Sequence, residues 1–348
     1  MARGLVGAGA YRPLYSDGRR RRCGPDEDPF TLAAAAIDHV VDRLPAEPRP
    51  ATIVTFGLGE AADASSWAAV LAAPVARVVA HGVADDPTQA WTDALHGSGP
   101  WCLVAASESA AAGSATAGDG AVAYLLDDAA QPAALPAGPS SVDPPGATSF
   151  ERLLRWVSPA TDPTAFRGDW EAAPAEGPAP GAGPTVRGVD PPFSVSQGAF
   201  VPEPRYLEGR PSRWGFVADR CGACGVRTFP SRGRCRSCGH VDALRPERLP
   251  RRGARVLAAT WIGPGGQPTE FDAQVEAGGP YGVVLAELAP DVRVTLPLTD
   301  ARAGEVRVGS TVDTSLRRLY PIEGRWRYGR KAVPARQRGG TPARAPGA

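Results

Sequence analysis

Four cysteines in two CxxC pairs are the residues of this chain best suited to bind a metal. Cys221 and Cys224 form the first pair, and Cys235 and Cys238 form the second. Each CxxC closes a tight turn that points two thiolates at one ion, and two such turns complete a tetrahedron. The spacing predicts structural zinc, with iron as the alternative because four thiolates also suit iron.

Disulfides and free thiols are the other interpretations of these cysteines. The chain has 6 Cys in 348 residues. This proportion of cysteine is far lower than that of small secreted domains held together by disulfides. A metal site therefore remains the better prediction. Since four thiolates leave no open coordination position, the ion is expected to fold the segment and not to polarise a substrate.

Composition limits the classes of function. The chain is 43% hydrophobic and 22% charged, which is ordinary for a globular protein. Its formal net charge of +1 argues against a globally basic nucleic-acid binder. We find no long uninterrupted apolar run, and residues 1–15 lack the apolar centre of a signal peptide. A cytoplasmic protein is expected.

The first third of the chain alternates between strand-like and helix-like patterns, which predicts an α/β fold. Asp28 and Pro29 are suited to cap and start a helix that continues through Leu44. The pair Asp86 and Pro87 predicts a second helix by the same chemistry. Short apolar runs predict buried strands at residues 5–11, 53–56, 76–80, 102–106 and 121–126.

Composition also divides the chain into segments. Pro, Gly and Ala dominate residues 129–202, which predicts a linker with one short helix at 150–157. Four or five β-rich runs follow the cysteines and predict a small closed barrel. The predicted segments are an α/β segment at 1–128, the linker at 129–202, a zinc ribbon at 203–248, an OB-fold barrel at 249–334 and a disordered tail at 335–348.

Several motifs in the second half occur together in one known family. They are the Pro-rich segment 201–206, the four-cysteine array with Phe229 and Pro230, the turn at 279–281, and Gly309 before Val312. In these features, residues 200–334 resemble the acyl-CoA-associated family that joins a rubredoxin-like zinc ribbon to an OB-fold. The resemblance implies a place beside thiolases, hydroxymethylglutaryl-CoA (HMG-CoA) synthases, acyl-CoA hydratases or aldolases, where such modules bridge subunits and shape the acyl-CoA channel.

The first half carries motifs of a second family. The glycine-rich opening 7–11, the segment 26–33 and the glycine turn 118–121 occur in an order similar to the first half of the thiolase superfamily, closest to HMG-CoA synthase and ketosynthases. Alignment places Ala84 or Asp85 where these enzymes have their nucleophilic cysteine, and neither can form a thioester. The second half of that fold is replaced here. The resemblance therefore implies a degenerate half-domain that is not catalytic alone.

The remaining cysteines and histidines do not restore a catalytic set. Cys102 lies in a predicted buried strand and is expected to be a packed core thiol. Cys23 is expected to be a surface cysteine in an arginine-rich loop. His240 follows the last thiolate of a tetrahedron that is already full. The other histidines are His39, expected at the solvent edge, and His81 and His96, which lack a nearby cysteine and an evident acid relay.

Three hypotheses for function follow. The first is a scaffold subunit that docks a thiolase-like or ketosynthase-like enzyme, or a second copy of this chain, because a half-fold leaves an apolar surface for a partner. In this hypothesis the structural metal is zinc, acyl-CoA is the ligand of the complex, and four arginines are weak candidates for contacting the CoA phosphates. These are Arg317, Arg318, Arg325 and Arg327.

The second hypothesis is a single-stranded nucleic-acid binder, since zinc ribbons and OB-folds also occur in such proteins and Trp261, Tyr281 and Trp326 could stack on bases. The third is an enzyme for acyl transfer or Claisen-type condensation that uses Cys102 or His81 in a site completed by a partner subunit.

Overall fold

Among the residues that the computed structural model describes, the N-terminal part is a five-stranded sheet with two helices on it. The described residues of the chain are 4–11, 15–16, 21–24, 26–41, 51–56, 64–72, 75–81, 101–108, 120–127, 203–263, 265–267, 271–272, 275, 279–322 and 325–335. The sheet has the order β1-β7-β6-β4-β5, and β4 runs parallel to both β5 and β6. Its strands are β1 Gly4–Tyr11, β4 Ala51–Phe56, β5 Val75–His81, β6 Trp101–Glu108 and β7 Gly120–Asp127.

The described residues of this layer also form two helices and a small hairpin. Helix α1 (Pro29–Val41) packs on β1, β6 and β7, and helix α2 (Ala64–Leu71) packs on β5. Asp28 caps α1 as predicted, because its Oδ1 accepts a 2.9 Å hydrogen bond from the Thr31 amide while the Asp28 amide donates to Thr31 Oγ1. The hairpin pairs β2 (Tyr15–Ser16) with β3 (Arg21–Arg22).

The five predicted strands of this layer are confirmed to within two residues at each end. Helix α2 was not predicted, because its run of small and apolar residues carries no clear cap. The helices predicted at Asp86 and at residues 150–157 lie outside the described residues, and the segment boundaries remain predictions.

The four cysteines lie at the end of one strand and in the connections of a three-stranded sheet, which follows two short helices. Helix α3 (Glu203–Glu208) and helix α4 (Arg210–Gly215) come first. The sheet has the order β10-β8-β9, with β8 Val217–Cys221, β9 Arg227–Thr228 and β10 Leu244–Arg248.

A nearly closed β-barrel follows this sheet. Its strands have the order β13-β12-β11-β14-β15, and a bridge between Leu298 and Ala332 joins the end of β13 to β15. The predicted barrel is thus present, although β15 was not predicted as a separate strand. The strands are β11 Ala254–Ile262, β12 Tyr281–Ala289, β13 Val292–Pro297, β14 Thr311–Ile322 and β15 Arg325–Pro334.

One hydrophobic core joins the α/β layer to the C-terminal module, by which we mean residues 203–335. Phe30 of α1 and Trp67 of α2 share this core with Trp214 of α4 and Leu316 of β14. An apolar surface left open for a partner was expected from the sequence, but α1 and α2 bury apolar side chains against the chain's own module. Among the described helices, none has the length and apolar character needed to cross a membrane.

Candidate functional site

The four cysteine sulfurs meet in one place. All four Sγ atoms lie within 4.8 Å of one another. Cys221 Sγ is 3.6 Å from Cys238 Sγ, and Cys224 Sγ is also 3.6 Å from Cys235 Sγ. A disulfide would need about 2.05 Å. A tetrahedral zinc with bonds of about 2.3 Å separates its sulfurs by about 3.8 Å, so the spacing suits a four-coordinate ion.

The backbone around the sulfurs forms two matching turns. The Gly225 amide donates to the Cys221 carbonyl at 2.8 Å, and the Gly239 amide donates to the Cys235 carbonyl at 3.1 Å. Gly225 and Gly239 have φ of 74° and 76°, a left-handed conformation that other residues adopt at a cost. The CxxCG pattern therefore encodes each turn through residues that are neighbours in the sequence.

The electrostatics of these turns favour thiolates when a cation is bound. Amides of Cys238 and Ser237 lower the pKa of Cys235 to about 6. At Cys238 the His240 amide acts in the same direction, but the crowding of Cys224 and the other sulfurs raises its pKa to about 12. Four sulfurs this close cannot all ionise without a positive partner, and a divalent metal would supply that charge.

Two buried ionic contacts join the α/β layer to the module, and the first is centred on Asp38 of α1. Its carboxylate accepts hydrogen bonds from Arg251 and Arg330, and all three side chains are at most 7% exposed. Arg251 Nη2 also donates to the Val70 carbonyl of α2 at 2.7 Å, and Arg330 Nε donates to the Trp214 carbonyl at 2.6 Å. These two guanidiniums therefore join α1 and α2 to the module.

The second ionic contact lies beside the start of α1. Lys331 Nζ donates to Asp26 Oδ2 at 2.8 Å, and Arg317 Nη2 lies 2.9 Å from Glu27 Oε1 and 3.0 Å from Asp300 Oδ2. Burial by itself would raise the pKa of Asp26, but Lys331 and Arg317 hold it below its ordinary value. Burial lowers the pKa of Lys331, and Asp26 opposes that effect. The ionised form of Asp26 is therefore favoured by its two cationic neighbours.

Aromatic side chains fill the centre of the same interface. The Tyr328 hydroxyl donates to Asp28 Oδ2 at 2.8 Å, so the residue that caps α1 also binds the module. Trp214 Nε1 donates to the Tyr328 carbonyl at 2.9 Å. Burial and the neighbouring Asp28 carboxylate raise the pKa of Tyr328 well above its ordinary value, so it remains a donor.

The structure describes the side chains of three of the four arginines predicted to contact CoA phosphates. Arg317 is 1% exposed among carboxylates, which argues against the predicted phosphate contact for this residue. Arg327 lies 4.4 Å from the centre of the Tyr206 ring and is 8% exposed beside Glu203. Arg318 stacks over Trp326 at 4.6 Å. The side chain of Arg325 lies outside the described residues.

The other predicted residues are not brought together in one described site. Cys102 lies on β6 and His81 ends β5, but nothing is described of either side chain. Cys23 was expected on a mobile surface loop; that expectation was wrong, because it is half-buried and packs against the main core. His240 is exposed. Ala84, Asp85, His96 and the side chain of His39 lie outside the described residues.

Trp261, Tyr281 and Trp326 do not form one exposed row. Trp261 is 38% exposed, whereas Tyr281 is 7% exposed and packs on Phe271 with ring centres 5.9 Å apart. Trp326 is half-buried beneath Arg318. The predicted stacking surface is therefore reduced to one exposed indole among these three residues.

Sequence reasoning missed the residues that join the two parts of the chain. Lys331 is the chain's only lysine among 38 Lys and Arg residues, and that rarity was the available signal. Its strand also carries Arg325, Arg327 and Arg330, so the local pattern did not mark Lys331 as buried. For Asp38, the signal was a lone acid on an apolar stretch of α1.

No protein-family model matches the chain. Over 107 residues, 31% of this chain and 71% of the relative, it is 27% identical to a protein of Methanocaldococcus jannaschii described as a DUF35 domain-containing scaffold protein. In this stretch the chain is similar to a DUF35 scaffold protein. The DUF35 similarity covers about a third of the chain and shows no family for the whole of it.

Solved structures give weaker likenesses. An Ltp2–ChsH2(DUF35) aldolase has 21% identity and a TM-score of 0.28, covering 37% of this chain and 90% of that one. PksG, an HMG-CoA synthase from Bacillus subtilis, has 18% identity and a TM-score of 0.31, covering 39% of this chain and 43% of that one. A monomeric SCP2-thiolase-like protein from Mycobacterium smegmatis has 10% identity and a TM-score of 0.25, covering 96% and 99%. All lie below a TM-score of 0.5, so the architecture is taken from the strand order alone.

Proposed function

We propose that this chain is a non-catalytic scaffold subunit of a complex that processes acyl-CoA or acyl-carrier substrates. It docks a thiolase-like, ketosynthase-like or HMG-CoA synthase-like enzyme and helps to shape that enzyme's acyl-CoA channel. The observation that carries the proposal is the module with four clustered cysteines and a nearly closed barrel, in a chain similar to a DUF35 scaffold protein. The proposed setting is the cytoplasm.

The metal centre would contribute rigidity in this role. Zinc bound by Cys221, Cys224, Cys235 and Cys238 would fix the β8-β9-β10 sheet. Leu249, which directly follows that sheet, donates from its amide to the Phe216 carbonyl at 2.8 Å, and Arg227 bonds Asp291 at the barrel. A rigid sheet would therefore hold the barrel in position for a partner.

The lack of a nucleophile motivates the assignment as a scaffold. By resemblance, Ala84 or Asp85 stands where condensing enzymes have a reactive cysteine. Arg317 and Arg327 are committed to internal contacts, so any direct contact with CoA phosphates falls to Arg325 and the partly exposed Arg318. The partner would supply the acylated residue, and this chain would supply a surface.

Reconstitution with a partner tests the proposal. The full chain is co-expressed with a thiolase-like or HMG-CoA synthase-like enzyme from the same genome, and the condensation rate is measured with and without it. We expect co-purification and a clear fall in the enzyme's rate or solubility when the chain is omitted. An enzyme that is fully active alone and never binds the chain would refute the scaffold role.

A second candidate is single-stranded nucleic-acid binding, which the exposed Trp261 supports. A gel shift with single-stranded oligonucleotides at two salt concentrations separates the candidates. Binding that weakens with salt and is lost in Trp261→Ala would favour nucleic acid, whereas no shift at micromolar chain leaves the scaffold proposal ahead. The third hypothesis, an enzyme completed by a partner, predicts that Cys102→Ser abolishes turnover of the reconstituted complex while both proteins remain folded.

A further inference from the structure

The module presents a continuous surface to the α/β layer, and that surface has the properties of a recognition site. We call it the docking surface, and define it by Arg210, Arg251, Arg317, Tyr328, Arg330 and Lys331. We propose that the docking surface recognises an α/β layer with carboxylates just before its first helix and near the end of that helix, and that it holds this chain's own α/β layer without needing the covalent connection. The α/β layer and the module of this chain then behave as two binding partners that are already bound to each other.

Charge complementarity is the first support. On the α/β side, the buried charges described at the contact are the carboxylates of Asp26, Glu27 and Asp38. The module faces them with four cations that are at most 3% exposed and one carboxylate, Asp300. Buried charges of opposite sign on the two sides reject wrong partners, because any mismatch leaves an unpaired charge in a dry interface.

The acidic residues are arranged along one element. Asp26, Glu27 and Asp28 precede or cap α1, and Asp38 lies near its end. Tyr328 and Lys331 bond the first group, while Arg330 bonds Asp38. Strand β15 thus contacts both ends of α1, which fixes the direction of the helix as well as its position.

Aromatic packing is the second support. The Phe30 ring lies 5.0 Å from Trp67, 5.8 Å from Trp214 and 5.1 Å from Tyr328, measured between ring centres. Two of these rings belong to each side of the contact. A cluster of buried Trp, Tyr and Arg surrounded by paired charges is the composition of an energetically dominant patch in a protein interface.

Close approach of α4 to α2 is the third support. A Cβ built on Gly215 would lie 2.5 Å from the carbonyl oxygen of Ala69 and 3.2 Å from the Cβ of Ala72. The two elements therefore fit only because residue 215 has no side chain. Such a fit selects one neighbour by shape, independently of charge.

Retention after cutting tests whether the connection is needed. A protease site is inserted within residues 129–202 of the full chain, and the folded protein is cut and examined by size-exclusion chromatography with light scattering. We expect the two pieces to co-elute at the mass of one uncut chain and to stay together after hundredfold dilution. If the pieces separate while each keeps its secondary structure, the proposal is overturned.

Matched glycine variants of the cut protein test the surface itself. Gly215→Ala should raise the dissociation constant of the two pieces about 5-fold to 100-fold, as expected for overpacking. Gly263→Ala, whose Cβ would meet nothing within 4 Å, should leave it unchanged. Equal effects of the two variants, or no effect of Gly215→Ala, would contradict the assigned surface.

A second variant and the measured mass of the complex keep the test decisive. If Gly215→Ala does not fold, Tyr328→Phe removes only the hydroxyl on Asp28 and should weaken retention about tenfold or more. If the cut pieces are held together only at twice the mass of one chain, a second copy takes part in the contact and the assignment to one chain is wrong. None of these measurements involves acyl-CoA or a partner enzyme, so they can fail while the proposed scaffold function stands.

Discussion

Asp38 and Arg330 are 292 residues apart in the sequence, yet both terminal nitrogens of Arg330 donate hydrogen bonds to the Asp38 carboxylate. Arg330 Nη2 lies 3.0 Å from Asp38 Oδ1, and the Arg330 side chain has no exposed surface. Arg251 binds the same carboxylate. A single acid of α1 is therefore paired with two buried cations of the module.

Replacing Arg330 should destabilise the whole protein. Arg330→Gln leaves Asp38 with one cation and removes the bond to the Trp214 carbonyl, and breaking a buried pair typically costs about 3–5 kcal/mol. Urea unfolding followed by circular dichroism measures the change. The control is Arg205→Gln, because Arg205 is 76% exposed and its pair with Glu208 contributes little. Similar stability losses in the two variants would contradict the role of the buried pair.

Acid should weaken the contact around Asp26. Lys331 and Arg317 hold the pKa of Asp26 below its ordinary value despite burial. Its ionised form therefore contributes stability that is fully present above the unfolded value of about 3.9 and is lost as pH falls through the folded pKa. Urea unfolding at pH 7, 4 and 3 should show this loss.

Variants identify the group responsible for that acid dependence. Asp26→Asn should already be less stable at pH 7 and should lose less stability between pH 4 and pH 3 than the natural chain does. Asp242→Asn changes an exposed acid of the ribbon and should keep the natural profile. If Asp26→Asn keeps the full acid dependence, Asp26 is not the titrating group.

Metal content should depend on the four cysteines. The full chain is expected to carry one metal ion, measured by elemental mass spectrometry, and Cys235→Ser should lose it with a lower thermal midpoint because the β8-β9-β10 sheet loses its cross-link. Cys23→Ser, which changes a cysteine packed on the main core, should keep the ion. A colourless protein identifies zinc, whereas visible thiolate-to-iron absorption identifies iron. Retention of the ion by Cys235→Ser would contradict the assigned ligands.

Barrel closure should require glycine at position 282, because a side chain there would meet its neighbours too closely. A Cβ there would lie 2.9 Å from Leu298 Cδ2 and 3.1 Å from Trp261 Cε3, and Leu298 forms the bridge to Ala332. Gly282→Ala should therefore cost about 1–3 kcal/mol by overpacking, measured by thermal unfolding. Gly263→Ala has room for its methyl group and should be neutral to within about 0.5 kcal/mol. A neutral Gly282→Ala would show that Leu298 can move without loss.

The sequence alone determined the features that depend on neighbouring residues. Cys221, Cys224, Cys235 and Cys238 encode their cluster through short turns closed by glycine, and Asp28 encodes the start of α1 through its own side chain. The strands could be predicted because burial requires a local apolar run. Only the tertiary structure decided which charges are buried, since Lys331, Arg317 and Arg330 acquire their carboxylates from elements about 300 residues away. The local sequence around a solvated arginine does not differ from that around a buried, paired one. The difference lies in the distant carboxylate that replaces water around the paired arginine.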